Sequence, residues 1–109
     1  MKTLIAIVGA ACLLGAAAVS QAEDAAPDKA KQVCAACHGA DGTGVAQFPD
    51  YPKLAGQRRD YLVQALRQYK SGARKNPIMG GMAQTLSPED VENLAAWFSS
   101  QKGTLFVTR

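Results

Sequence analysis

The chain has 109 residues, 48% of them hydrophobic, with 12 Lys and Arg against 9 Asp and Glu for a formal charge of +3, and it contains a single histidine. Its length allows one domain, and so small a net charge argues against nucleic acid as a partner. One histidine also weakens any hydrolytic or peroxidase-like reading, because such acid–base chemistry draws on imidazoles more than on any other side chain.

The first segment is apolar from Leu4 to Val19, is preceded by Lys2, and ends at Ser20-Gln21-Ala22, small residues of the kind a signal peptidase accepts. The pattern predicts a secretory signal peptide over residues 1–22, cleaved after Ala22, and export of residues 23–109 to the periplasm. The run is short for a spanning helix and no basic flank follows it, so no stable membrane insertion is expected after cleavage; an uncleaved anchor is the alternative. Cys12 leaves with the leader, and the apolar residues after it argue against a lipoprotein cysteine. The 87 residues that remain of 109 are few for a self-sufficient core, and a bound apolar group would remedy this.

A first helix is predicted from about Asp28 to His38, with Pro27 at its start and Glu23, Asp24 and Asp28 at its positive end. It carries Cys34-Ala35-Ala36-Cys37-His38, the C-x-x-C-H spacing of covalent haem attachment. On a helix, residues three and four apart share a face, so Cys34 and Cys37 can anchor a porphyrin edge while His38 offers an axial nitrogen. The competing readings are a redox disulfide, a zinc site and two buried thiols. A redox pair expects a βαβ context that is missing here, and closed zinc sites take four ligands where the exported chain offers three.

Gly39 ends this helix, and the stretch through Pro49 and Pro52 has turn composition. A second helix is predicted over Arg58 to Ser71, with an apolar stripe of Tyr61, Leu62, Ala65, Leu66 and Tyr69 and Gly72 as its C-cap. The last helix starts at Ser87-Pro88-Glu89-Asp90, where Ser87 is the N-cap, Pro88 takes the first helical position and Asp90 completes a capping box. Val91, Leu94, Ala95 and Phe98 face inward, and Trp97 beside them is read as core. The fold class is all-α, a small domain of helices and loops around one cofactor.

With C-x-x-C-H on the first helix, Pro52-Lys53-Leu54 after the loop and a methionine before the last helix, the chain resembles a class I c-type cytochrome. Tyr51-Pro52-Lys53-Leu54-Ala55-Gly56-Gln57, Asn76-Pro77-Ile78-Met79 and Leu86-Ser87-Pro88-Glu89-Asp90 are most similar to one domain of the cytochrome c4 group and its single-haem relatives of the cytochrome c553 type. The resemblance implies the small cytochrome c fold and one covalent haem c, with His38 as one axial iron ligand and Met79 as the other. Met82, three residues on, would pack on the ring or exchange roles with Met79. The Pro52 carbonyl would accept the His38 imidazole proton, and Leu54 would pack on the haem. Relatives commonly carry a glycine where the first helix crosses the last; here Ala30 is the small substitute.

The implied function is electron transfer between respiratory or dehydrogenase donors and oxidase or reductase acceptors, with no substrate altered, so the chain is read as a carrier and not an enzyme. A haem subunit of a larger oxidoreductase is the first alternative, a haem-based ligand sensor the second. Lys53, Arg58, Arg59, Arg67, Lys70, Arg74 and Lys75, with Asp60 the one acid among them, form a basic region. It would steer the protein toward redox partners with acidic docking faces, unless it is simply a solvated helix face. A monomer or weak dimer is expected.

Overall fold

The first helix begins at Asp28 and ends at His38, but its middle is not α-helical: Ala30–Cys34 forms a π-helical turn that runs directly into α1, Ala35–His38. The Ala35 N–H donates to the Ala30 carbonyl, five residues back, which inserts one extra residue into the turn. No sequence signal announced this turn. In this computed structural model, described over residues 26–105 together with residues 9–11 and 15, the helices that follow are α2 (Arg59–Ser71), α3 (Pro77–Gln84) and α4 (Pro88–Ser100). The predicted leader, residues 1–22, lies almost wholly outside the described residues. Among the described residues there is no strand, and no helix is long and apolar enough to cross a membrane.

α2 and α4 start and stop where their termini dictate. Gly72 closes α2 in the left-handed conformation at φ 82°. At α4 the Asp90 N–H donates to Ser87 Oγ at 3.0 Å and the Ser87 N–H donates to Asp90 Oδ2 at 2.8 Å, so both halves of the capping box form. Val91, Leu94, Ala95 and Phe98 are all buried as expected, and they share one cluster with Ala30, Leu62 and Leu86. Ala30 is completely buried, in keeping with the small residue needed where the first helix meets α4. Trp97 packs against the same cluster.

Two expectations require correction. Tyr61 belongs by spacing to the apolar stripe of α2, which packing would bury, yet it is exposed, its hydroxyl accepting from Arg74 Nη1 at 3.1 Å. A phenol at the rim keeps its ring on the helix and its oxygen in water, so apolar spacing overstated its burial. Met79 rides on a helix, α3, that is absent from the elements predicted between the second helix and the last. Asn76 caps that helix, its Oδ1 accepting from the N–H groups of Ile78 and Met79 at 3.0 and 2.9 Å, and Pro77 fills the first position. Gly80-Gly81 hid the helix, because paired glycines count against helix on intrinsic preference.

Between α1 and α2 the chain folds back on itself through Gly42, whose carbonyl accepts from the N–H groups of Leu54 and Ala55 at 2.8 and 3.0 Å. The Gly44 N–H donates to the His38 carbonyl at 2.7 Å. Together these bonds bring the Pro52 segment alongside the end of α1.

Candidate haem site

The first helix, its π-turn and α1 together, supplies one wall of a cavity of about 340 Å³, presenting Cys34, Cys37 and His38 to it. His38 is buried, at 7% exposure, and its Nδ1 lies 2.7 Å from the Pro52 carbonyl oxygen. A carbonyl only accepts, so Nδ1 carries the proton and Nε2 is the nitrogen left for a ligand bond. The two cysteines are half-buried, and burial raises the Cys34 thiol pKa, with neighbouring Cys37 adding to the effect.

α3 supplies the facing wall. Met79 and Met82, three residues apart on one helical face, both line the cavity, but Met82 is 41% exposed whereas Met79 is set deeper. Between the walls, Leu62, Leu66 and Tyr69 from α2 and Leu94, Ala95 and Phe98 from α4 make the interior strongly apolar. Tyr51, Pro52 and Leu54 close one side. Sequence reasoning did not name Tyr69, Asn76 or Ile78 as lining residues; the N-cap signal of Asn76-Pro77 was the feature that could have placed the last two.

These residues fit a haem. An apolar slot receives a flat macrocycle, a pair of thiols stands at the attachment spacing, and an imidazole with one nitrogen already satisfied faces a thioether across the slot. Among the described residues no three His, Cys, Asp or Glu side chains gather to hold a metal ion by themselves, which disfavours the zinc reading.

The basic region is less open than its sequence suggested. Arg58 pairs with Asp60 at 2.7 Å, Arg59 and Arg67 flank Glu92 at 3.6 and 3.1 Å, and Lys70 donates to the Leu86 carbonyl. Arg74 lies 5.0 Å over the Tyr69 ring. A larger and shallower groove, about 1420 Å³, runs along the α2 face lined by Arg58, Arg59, Arg67 and Glu92. Its charges are largely spent on one another, and it offers no metal ligand set.

A family model described as Cytochrome c matches residues 24–102. The chain is 48% identical over 82 residues to cytochrome c4 of Pseudomonas aeruginosa, a match covering 74% of this chain and 40% of that protein. It is 47% identical over 72 residues to cytochrome c-554(548) of Halomonas halodenitrificans, covering 63% of this chain and 84% of that one. The crystal structure of reduced recombinant cytochrome c4 from Pseudomonas stutzeri superposes with a TM-score of 0.61 at 46% identity, covering 68% of this chain and 43% of that one. The chain thus spans about two fifths of the length of these cytochrome c4 relatives. Fold, motif and likeness agree that it belongs to the cytochrome c family, with covalently bound haem c as its cofactor.

Proposed function

We propose that the chain is a periplasmic monohaem carrier of single electrons, exported by residues 1–22, cleaved after Ala22 and active as residues 23–109. Cys34 and Cys37 would hold the haem through thioether bonds, His38 Nε2 and the Met79 sulfur would ligate its iron, and Leu54 would pack against it. The observation that carries this reading is the 2.7 Å contact between His38 Nδ1 and the Pro52 carbonyl in a buried slot whose other wall bears Met79.

The haem supplies a one-electron ferric/ferrous couple. The rest of the mechanism belongs to the chain. Pro52 holds the imidazole in one tautomer and orientation and makes it a better donor. The methionine thioether, a weaker electron donor than an anionic ligand, favours the ferrous form and raises the potential. Leu62, Leu66, Leu94 and Phe98 keep water from the slot, so little solvent reorganises when charge changes.

Partners are redox proteins. Arg74 and Lys75, flanking the residues that line the cavity, and Lys53 near its other side support a preference for acidic docking faces, with a monomer or weak dimer as the working state. A subunit of a larger oxidoreductase is the second reading, favoured by the exposure of Ile78 and Met82 at the cavity edge. The test is the optical spectrum of the purified holoprotein, ferric and then reduced, with and without carbon monoxide. A sulfur-to-ferric-iron band and no carbon monoxide response fit the closed carrier; rapid carbon monoxide binding would replace it with the ligand sensor.

A further inference from the structure

Both cavity methionines ride on α3, a helix of eight residues with Gly80 and Gly81 at its centre. A helix so short does not hold itself in water, so its placement depends on what grips its two ends. At the first end Asn76 caps the N–H groups of Ile78 and Met79. At the other end the turn Thr85-Leu86 is gripped by two lysines from elsewhere in the chain. Lys29 Nζ donates to the Thr85 carbonyl at 2.8 Å. Lys70 Nζ donates to the Leu86 carbonyl, while the Lys70 carbonyl accepts from Gln84 Nε2 at 2.6 Å.

Lys70 therefore gives and receives across the same junction, a two-way clasp between α2 and the exit of α3. It is half-buried, Leu86 is buried, and among the described residues its ammonium is committed to a backbone carbonyl and to no carboxylate. Ordering a long flexible side chain in this way costs entropy. A charge-assisted bond offsets that cost, and losing it would strand the Leu86 carbonyl. As a surface cation Lys70 would serve docking; as a clasp it serves geometry.

We propose that Lys70 is a positioning residue for the sulfur ligand: its clasp fixes where α3 ends and thereby how firmly Met79 is held in the cavity. This rests on the reading of Met79 as axial ligand. With the clasp open, α3 drifts and the sixth iron position exchanges more readily.

The test uses ferric holoprotein and imidazole as the probe. In the exchange the sulfur–iron bond breaks and a nitrogen–iron bond forms, with no change in iron oxidation state. At saturating imidazole the observed rate becomes the rate of sulfur departure. Lys70→Met, which keeps the stem and removes the donor, is expected to raise that rate at least about tenfold and to weaken the sulfur-to-ferric-iron band. Lys70→Arg, which keeps donors for the carbonyl, should restore most of the parental behaviour. Gln84→Ala cuts the other half of the clasp and stands in if Lys70→Met does not fold. Arg67→Met, one turn earlier on α2 and paired with Glu92 away from the cavity, should leave the rate unchanged. A parental rate in Lys70→Met and Gln84→Ala, or an equal acceleration in Arg67→Met, overturns the positioning role. The ligand reading fails separately, if Met79→Ala retains the sulfur band.

Discussion

Lys29 Nζ lies 2.8 Å from Asp90 Oδ2, joining the start of the first helix to the first turn of α4 across 61 residues of chain. The same carboxylate oxygen accepts the Ser87 N–H, and Lys29 also reaches the Thr85 carbonyl. One ion pair thus ties together the helix that carries Cys34 and His38, the turn that ends α3, and the cap of α4.

This joint makes a pH prediction. The Lys29 ammonium, aided by the Ser87 N–H, lowers the Asp90 carboxyl from an ordinary 3.8 to about 2. The folded form therefore binds its proton later than the unfolded chain on acidification. The stabilisation is complete above about pH 4 and is lost as pH falls toward 2. Denaturant titrations between these limits should show stability rising with pH in the parent and a flatter profile in Asp90→Asn. Identical profiles would mean that the ion pair is not formed in solution.

Pro52 offers a second prediction, on potential. Its ring fixes φ and holds its own carbonyl against His38 Nδ1. Pro52→Ala keeps the carbonyl but loosens the segment, so the imidazole becomes a slightly weaker donor and the ferric form is less favoured. The reduction potential should rise, by less than the ~59 mV that corresponds to tenfold in a one-electron equilibrium. Spectroelectrochemistry of parent and variant checks both sign and size; an unchanged potential would mean that the contact does not tune the iron, and a fall would reverse the expected sign.

Gly42 and Gly72 separate backbone strain from contact. Both have left-handed backbones, at φ 80° and 82°. A Cβ on Gly42 would stand 2.7 Å from a ring carbon of buried Phe98 and 2.9 Å from the Ala55 nitrogen, whereas one on Gly72 meets nothing within 4 Å. Gly42→Ala should cost about 1–3 kcal/mol beyond Gly72→Ala, because it also displaces the core ring. For a domain of this size that is roughly 4–8 °C of melting temperature per kcal/mol. Equal losses in thermal melts would show that Phe98 yields freely.

Local chemistry was the legible part of this chain. Ser87, Pro88 and Asp90 announce α4 because a cap, a fixed φ and a reciprocal bond all act within four residues. Cys34, Cys37 and His38 announce the site for the same reason. What resisted reading depends on partners far away or on small departures from period. The π-turn at Ala30–Cys34 adds one residue without changing composition, and α3 is held by Asn76 and Lys70 against the preference of its own glycines. Lys70 reads as one more cation until the carbonyl of Leu86, 16 residues on, is known to be its partner.

The choice between Met79 and Met82 is where that tertiary information matters most. Spacing puts both on the cavity face of α3, and only depth distinguishes them: Met82 is 41% exposed, while Met79 sits at the N-terminal turn where Asn76 holds its N–H at 2.9 Å. A ligand would have to lie within bonding reach of an iron held through His38 Nε2, which favours the deeper and more tightly held sulfur. Met79→Ala should abolish the sulfur-to-ferric-iron band, open the iron to carbon monoxide when reduced, and lower the potential as the thioether is lost. Met82→Ala should leave the band intact and cost only packing at a partly solvated edge, below the 2–5 kcal/mol typical of a fully buried methionine. Exchange of these two outcomes would transfer the ligand role to Met82 and make Met79 the residue that packs on the ring.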